Sequence, residues 1–250
     1  MKKYASIISF LIVIFAALWS FYDTSPSSVK SPKSTTDFSV EKALSHLKEI
    51  SKESHHVGTE AHKTVQNYIV SELQKLGLEP TIQTQTIINK KMFAGTTVEN
   101  IIVKIDGSET GKSLLLLSHY DSNPHSALGA SDAGSGVVTI LEGLRAYLAK
   151  NQQPKNDIII LISDAEELGL LGAKAFVEYH PLAKNIGLVL NFEARGSGGP
   201  SYMLLETNGK NSKMITEFLK ANPTYPASNS LLYSIYKKLP NDTDLTVFRE

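Results

Sequence analysis

Each of three short apolar runs in this 250-residue sequence is followed, within five residues, by candidate histidine or carboxylate side chains. In chain order, these side chains are His119 and Asp121, then Glu166 and Glu167, and finally Glu193. A further carboxylate, Asp132, lies in a glycine-rich loop between the first two runs. Imidazole and carboxylate groups bind divalent cations, and carboxylates also serve as general bases. The pattern predicts a catalytic metal site, provided that the ends of the three runs meet.

The sequence contains no cysteine, which excludes a thiolate zinc site, a disulfide framework and a thiol nucleophile. Any metal must therefore be held by carboxylate and imidazole groups, a ligand set that suits Zn²⁺ and also Mn²⁺ or Co²⁺. The 25 basic and 25 acidic residues cancel, so the chain lacks the basic excess of a nucleic-acid binder. The expected partners are therefore not nucleic acids.

Each candidate residue also has a simpler explanation when it is taken alone. A histidine after a strand is often a hydrogen-bonded structural residue, and Asp132 could cap the helix that follows it. Glu166 and Glu167 could form a solvated acidic pair. Four carboxylates and an imidazole at one edge of a sheet, however, would repel one another unless a cation neutralised them. Their convergence favours the metal site.

The apolar runs predict the strands that position these side chains. Leu114–Leu117, Ile158–Ile162 and Gly187–Phe192 are continuous runs, which are typical of strands buried on both faces. Helical patterns at Gly134–Leu148 and Gly169–Tyr179 separate them. This alternation predicts an α/β fold with a mixed, mostly parallel central sheet and helices on both faces. Ligands bind at the carboxyl ends of the strands in such sheets, where the candidate residues lie.

Four more elements are predicted upstream of these runs: helices at Val40–Ile50 and Val65–Leu76, and strands at Thr81–Ile88 and Val98–Ile105. Polar and apolar residues alternate in Thr81–Ile88, which suits an edge strand. We expect His55 and His56 to lie on an exposed loop between the two helices. His125, beside a proline, is expected to be a loop residue near the site and not a ligand.

The amino terminus forms a separate module. Lys2 and Lys3 precede an uncharged apolar segment, Tyr4–Tyr22, which approaches the ~20 residues that a membrane-spanning helix needs. The lysines predict a cytoplasmic amino terminus, with the rest of the chain in the periplasm, at the cell surface or in an organelle lumen. A cleaved signal peptide is the competing interpretation. We therefore predict a membrane anchor at 1–22, a linker at 23–38 and a catalytic domain at 39–250.

Three sequence blocks resemble the zinc-dependent aminopeptidases of the bacterial leucyl aminopeptidase type. The resemblance is stronger to the membrane-associated branch of that family, which includes endoplasmic reticulum metallopeptidase. The blocks are Ser118-His119-Tyr120-Asp121 with Gly129-Ala130-Ser131-Asp132, Asp164-Ala165-Glu166-Glu167-Leu168-Gly169-Leu170-Leu171-Gly172, and Asn191-Phe192-Glu193-Ala194-Arg195-Gly196. A fourth segment, Asn241-Asp242-Thr243-Asp244, resembles the one that precedes the last part of the site in the membrane-associated branch.

The resemblance implies the phosphorylase/hydrolase-like zinc peptidase fold and a site with two Zn²⁺ ions. Asp132 would bridge the two ions, His119 and Glu193 would complete one site, and Glu167 would belong to the other. Glu166 would be the general base, while Asp121 would accept the second N–H of His119 and fix its tautomer. The implied substrates are peptides with a free N-terminus, and two cations sharing a carboxylate can activate water and polarise the scissile carbonyl.

One departure from the family limits this inference. The family supplies a final histidine ligand to the Glu167 site, well downstream of the glutamate block, but none of the seven histidines here follows His180. We expect this chain to be a truncated copy or a fragment of a longer protein. If the chain were complete, the Glu167 site would bind zinc weakly and peptidase activity would be low.

Two alternatives to the membrane-anchored aminopeptidase remain open at this stage. A glutaminyl-peptide cyclotransferase resembles this fold and shares a His-Tyr-Asp-Ser block, but it uses one zinc and intramolecular attack. The residues Leu168-Gly169-Leu170-Leu171-Gly172 after the glutamates favour the peptidase. A catalytically silent extracytoplasmic binding domain is the second alternative, because the last histidine is missing. A histidine encoded beyond Glu250 would favour the enzyme.

Overall fold

The computed structural model describes most of the chain. The described residues are 2–25, 32–91, 93–125, 127–194, 202–204, 210–221, 230–239 and 242–249. The chain divides into two compact units, one of residues 30–196 with 241–250 and the other of residues 1–29 with 197–240. The division expected from the sequence, into a 1–22 anchor, a 23–38 linker and a 39–250 catalytic domain, stays a prediction.

A five-stranded mixed sheet forms the centre of the larger unit. The strands are β1 (Thr81–Asn89), β2 (Ala94–Ile105), β3 (Ser113–His119), β4 (Ile158–Ser163) and β5 (Ile186–Asn191), in the spatial order β1-β2-β4-β3-β5. β2 is antiparallel to both of its neighbours, whereas β3 pairs in parallel with β4 and with β5. The other four strands therefore all run in one direction, which confirms the predicted mixed, mostly parallel sheet. Their carboxyl ends share one edge.

The described part of the chain contains eight α-helices, of which the first five fall close to their predicted positions. They are α1 (Lys2–Thr24), α2 (Val40–Ile50), α3 (Glu60–Lys75), α4 (Ser135–Leu148), α5 (Leu171–Tyr179), α6 (Ser212–Lys220), α7 (Ser230–Tyr236) and α8 (Asp244–Val247). N-terminal caps explain where two of these helices begin. The side chains of Ser39 and Thr59 accept hydrogen bonds from backbone N–H groups in the first turns of α2 and α3, respectively. A tight, irregular turn, Ala130–Gly134, leads directly into α4.

Successive residues of the central strands face opposite sides of the sheet, and helices cover both sides. Ile101 of β2 and Ile160 of β4 belong to a buried cluster with residues of α2, α3 and α4. Ile102 and Ile159, their neighbours in sequence, belong to a second cluster with Phe176 of α5. The continuous apolar runs therefore reflect burial on both faces, as expected for central strands.

The last strand differs from its prediction. β5 was expected to be buried, but among the described residues β3 is its one neighbouring strand, and Gly187 and Leu188 are exposed. Leu188 keeps 38% of its surface accessible. The expectation was wrong because an apolar run does not distinguish a central strand from an edge strand, whose second side has no neighbouring strand.

A buried ion pair on α4 fixes the chain just before α2. Glu142, fully buried, accepts a hydrogen bond from the backbone N–H of Ser39 at 2.7 Å. Arg145, which bonds to Glu142, donates to the backbone carbonyls of Thr35 and Asp37. The pair therefore holds the 35–39 segment against the helix that follows the Asp132 loop.

The smaller unit contains α1, α6 and α7. Within the described residues, α1 is the one helix that is long and apolar enough to cross a membrane, over the 19 residues Tyr4–Tyr22. The side chains of this segment are exposed. Its length and composition agree with the predicted anchor, and a cleaved signal sequence has the same properties.

Candidate metal centre

His119 is the last residue of β3, and its imidazole is almost completely buried at the sheet edge. Its Nδ1 lies 3.0 Å from the backbone oxygen of Asp121 and 3.3 Å from the Asp121 carboxylate. Its Nε2 lies 3.0 Å from the carboxylate of Asp132 and 3.6 Å from that of Glu193. One ring nitrogen is therefore held by Asp121, while the other faces two carboxylates that could share a cation with it.

Asp121 connects the end of β3 to the loop after β4. Its two carboxylate oxygens accept hydrogen bonds from the backbone N–H groups of Glu166 and Glu167, at 3.0 and 3.2 Å. Asp121 is 1% exposed, so these bonds are shielded from water. The position agrees with the predicted orienting contact to His119, whose functional role stays a prediction.

Asp132 lies in the irregular turn before α4, and the turn is closed by a hydrogen bond from the N–H of Gly134 to the carbonyl of Gly129 at 2.8 Å. Gly129 has φ of 63°, in the left-handed region that glycine adopts most easily. A Cβ atom there would lie 2.8 Å from Cε1 of His55. The N-cap residue of α4 is Gly134, so Asp132 does not cap this helix.

All of the predicted site residues lie at this edge of the sheet. Two sets of side chains bring their ligand atoms within 4.8 Å of one another: His119 with Glu166 and Glu167, and His119 with Asp132 and Glu193. Asp121 lies behind His119 and contacts the glutamate loop. The Glu167 carboxylate also accepts a hydrogen bond from the Asn123 amide at 2.7 Å. The residues meet as predicted, and their individual roles as ligands or bases stay predictions.

The acids of this cluster are held away from water and close to one another. Burial, followed by the charges of Asp244, Glu193 and Asp121, raises the pKa of Glu166 to about 9, although the His119 imidazolium opposes the shift. Burial also raises the pKa of Glu167. Burial alone would lower the pKa of His119, but its contacts with carboxylates outweigh burial and hold that pKa well above the ordinary value.

Asp244 is a further buried acid that the sequence did not single out as a site residue. It begins α8 and is 1% exposed, and burial raises its pKa to about 7. The hydroxyl of Ser163, at the end of β4, donates to its Oδ2, whereas Oδ1 has no hydrogen-bond partner among the described residues. The one signal for Asp244 in the sequence was that residues 241–244 resemble the segment that precedes the last part of the site in the membrane-associated branch. Asn241 of this segment lies outside the described residues.

Asp164 does not join the cluster, although it follows the same strand as Glu166. Its carboxylate lies 2.9 Å from Nε2 of His62 and accepts the N–H of Glu99 at 2.8 Å. The next residue, Ala165, has φ of 55°, an uncommon left-handed conformation for a residue with a side chain. The buried His62–Asp164 pair therefore positions the start of the glutamate loop and was missed because His62 lies on α3, 102 residues away.

The expectation of an exposed loop at His55 and His56 was wrong for His55, which is 2% exposed. Its N–H donates to Ser122 at 2.9 Å, and its ring lies against Gly129. Tertiary packing buries this loop beneath the Asp132 turn. His125 is exposed, as expected for a loop residue. Arg195 and Gly196, which belong to the third block of the resemblance, lie outside the described residues.

The chemistry of the cluster fits a divalent cation. Its donors are one imidazole nitrogen and several carboxylate oxygens, the ligands that zinc takes in catalytic sites without cysteine. Carboxylates that are buried without enough positive charge nearby have raised pKa values, because their ionised form is destabilised. A bound cation would stabilise the ionised form. Three of these donors, His119, Asp132 and Glu193, form one candidate site, and Glu167 lies beside it.

Comparison with known proteins places this site in a family. The model of "Peptidase family M28" matches residues 100–250, which include every candidate site residue. The chain is 33% identical, over 269 aligned residues, to the vacuolar membrane protease of Meyerozyma guilliermondii. That alignment covers 100% of this chain and 27% of the relative. The chain thus spans only about a quarter of the length of such curated relatives.

Solved structures share the fold. A Zn-dependent exopeptidase from Parabacteroides distasonis aligns with a TM-score of 0.60 and 22% identity, over 86% of this chain and 81% of its own. The glutaminyl cyclase of Porphyromonas gingivalis aligns with a TM-score of 0.54 and 25% identity, over 62% of this chain and 58% of its own. The fold, the ordered site residues and the family match agree, and the chain belongs to peptidase family M28.

Proposed function

We propose that this chain is the catalytic part of a membrane-anchored, zinc-dependent aminopeptidase. The observation that carries the proposal is the meeting of His119, Asp132 and Glu193, with Glu166 and Glu167 beside them, at the carboxyl edge of the sheet. The name of the P. distasonis neighbour, a Zn-dependent exopeptidase, supports zinc as the metal and cleavage at a chain end. The fungal relatives, named vacuolar membrane proteases, support peptide substrates and a membrane location.

In this proposal His119, Asp132 and Glu193 would hold one zinc ion, and Asp132 and Glu167 would contribute to holding a second. Zinc bound there would polarise the scissile carbonyl and lower the pKa of the attacking water. Glu166 accepts a proton from that water and delivers it to the leaving amine. Asp121 keeps Nδ1 of His119 occupied, so that Nε2 stays directed toward Asp132 and Glu193.

The same proposal places the catalytic unit outside the cytoplasm. Lys2 and Lys3 precede the apolar segment of α1, and the positive-inside rule puts such an amino terminus in the cytoplasm. A protease-accessibility assay on right-side-out vesicles would test this orientation. Protection of the catalytic unit in such vesicles would contradict the proposed orientation.

The test of the activity combines zinc analysis with a substrate assay. We expect release of free amino acid from an aminoacyl p-nitroanilide, and no release from its N-acetylated analogue. Glu166→Gln should lower kcat about 10²–10⁴-fold and keep the zinc content, because only the proton-transfer group is lost. Glu178→Gln on the exposed face of α5 is the matched control and should behave as wild type. Full turnover by the Glu166→Gln variant would disprove the assigned base.

A glutaminyl cyclase is the second candidate, because the P. gingivalis enzyme of that name shares the fold at 25% identity. Such an enzyme would close an N-terminal glutamine on itself and release ammonia, whereas a peptidase would release the glutamine. A peptide that begins with glutamine distinguishes the two by its products. Formation of pyroglutamyl peptide without free glutamine would contradict the peptidase proposal and favour the cyclase. If the chain binds zinc but forms neither product, a silent binding domain is favoured.

A further inference from the structure

The tip of the β1–β2 hairpin carries an exposed apolar and cationic surface that the proposed catalytic role does not use. We call Ile88, Lys90, Lys91 and Phe93 the hairpin tip. Phe93 is 97% exposed and Ile88 is 69% exposed, whereas the preceding residue, Ile87, is buried in the core. Both lysines are exposed as well. Apolar side chains that lie next to two positive charges therefore project together into the surroundings of the protein.

The backbone at the hairpin tip makes this exposure unusual. Phe93 has φ of 51°, in the left-handed region where glycine and asparagine are favoured and a bulky aromatic is disfavoured. In water alone, the aromatic ring gains nothing from this position, since it contacts almost nothing in the fold. A ring kept in this conformation and fully accessible fits an apolar environment supplied from outside.

A buried residue, Asn89, ties the start of the hairpin tip to the fold. Asn89 donates to the carbonyl of Gly169 at 3.1 Å and accepts the N–H of Lys91 at 3.1 Å. Gly169 follows Glu167 by two residues, in the loop that carries the site. Because β1 runs in the same direction as β3, β4 and β5, the tip also lies at the carboxyl edge of the sheet.

The chemistry of the hairpin tip matches an anionic lipid surface. Aromatic and aliphatic side chains enter the boundary between headgroups and acyl chains, and neighbouring lysines attract anionic headgroups. A peptide bound at the tip could cover the apolar side chains, but peptides in general do not carry the negative charge that would pair with the two lysines. The charges therefore favour lipid over peptide as the occupant.

We propose that the hairpin tip docks on the anionic surface of the same membrane in which α1 is anchored. The inference rests on the proposed anchoring by α1. The thirteen residues from Asp23 to Thr35 join the apolar segment to the point that Arg145 holds, and a chain of that length spans at most about 45 Å. The anchor and linker therefore keep the hairpin tip close to the membrane surface, at a high effective concentration. A weak contact between the tip and the lipid then suffices for docking. Docking would bring the carboxyl edge of the sheet to the membrane.

The absence of native cysteine allows a direct test in the full chain. We would replace Ile88 with cysteine, attach a nitroxide and reconstitute the protein in vesicles of phosphatidylcholine with or without phosphatidylglycerol. The matched control is Thr110→Cys, exposed in the loop after β2 at the opposite edge of the sheet. Accessibility to dissolved oxygen and to a water-soluble nickel complex reports the depth of each label.

With phosphatidylglycerol present, the label at position 88 should become accessible to oxygen and shielded from nickel, while the label at position 110 stays in water. The double variant Lys90→Glu/Lys91→Glu should lower the docked-to-undocked ratio at least about tenfold, since each lysine near an anionic surface contributes to binding. Phe93→Ser should also reduce docking. Equal nickel accessibility at positions 88 and 110, or a chain that does not remain with the vesicles, would overturn the proposal.

An activity assay separates this inference from the proposed catalytic function. In detergent micelles, the Lys90→Glu/Lys91→Glu variant should cleave a soluble aminoacyl substrate at the wild-type rate, because neither lysine belongs to the metal cluster. Loss of docking with unchanged activity would support the inference. Shielding of the label by a peptide substrate in the absence of lipid would instead identify the tip as a peptide-binding surface and would overturn it.

Discussion

The carboxylate of Asp121 accepts a hydrogen bond from the backbone N–H of Glu166 at 3.0 Å. The same carboxylate lies 3.3 Å from Nδ1 of His119, so one buried side chain fixes both a candidate metal ligand and the candidate base. A second oxygen accepts the N–H of Glu167. The relative position of the imidazole and the two glutamates therefore depends on a single residue.

Asp121→Asn should weaken zinc binding and catalysis together. The amide has only one acceptor oxygen, so at least one of the bonds to His119, Glu166 or Glu167 is lost, and changes of this kind typically cost about 10–100-fold in metal affinity or activity. Zinc affinity by chelator competition and kcat/KM from the same preparation check the effect. Asp106→Asn, at an exposed site on the opposite edge, should leave both values unchanged. An unaltered zinc affinity in Asp121→Asn would show that Asp121 does not orient His119.

The 250-residue polypeptide should bind two zinc ions with unequal affinity. We expect the first at His119, Asp132 and Glu193, and the second at least about tenfold more weakly, because the donor set around Glu167 shares its one imidazole, His119, with the first site. Glu193→Gln should weaken the tight site, whereas Glu167→Gln should leave it intact. Titration against a chromophoric chelator resolves the two sites. Two zinc ions bound with equal affinity would contradict this expectation.

The metal-free protein should lose stability as the pH rises. The folded-state pKa of Glu166 is about 9 and that of Asp244 is about 7, both above their unfolded values of 4.5 and 3.8. Between those limits the folded state holds protons that the unfolded chain has released, so the free energy of unfolding falls with pH. The slope is up to about 1.4 kcal/mol per pH unit for each group.

Thermal denaturation of the apoprotein from pH 5 to pH 9 checks this dependence. Asp244→Asn should flatten the profile between pH 5 and pH 7, because it removes one of the two buried acids. Saturating zinc should raise the Tm most at high pH, where the carboxylates are ionised and metal binding is strongest. An apoprotein whose Tm rises from pH 5 to pH 9 would refute the assigned shifts.

His62→Ala should destabilise the fold by about 1–3 kcal/mol, because it removes the buried partner of Asp164. The variant also loses the stacking of the imidazole on Tyr120, whose ring lies 4.7 Å away. Chemical denaturation with zinc present measures the loss. His56→Ala, in the loop before α3, is the control, and we expect it to stay within about 0.5 kcal/mol of wild type. Equal stability of the two variants would mean that the His62–Asp164 pair is dispensable.

Much of this site could be predicted from local sequence, for a physical reason. A continuous apolar run marks a strand of the sheet, and strands that run in one direction end at one edge. His119, Glu166 and Glu193 could therefore be assigned to a common edge from their places after three such runs. The absence of cysteine then limited the ligands to imidazole and carboxylate.

Tertiary structure alone decided the partners of the other buried polar groups. Asp164 and Glu166 are only two residues apart in sequence, yet one pairs with His62 and the other faces His119. Asp244 reaches Ser163 across 81 residues, and His55 is buried against Gly129 and bonded to Ser122, 67 residues away. Local spacing fixes which face of an element a side chain occupies, but the choice of partner depends on the packing of elements distant in the chain.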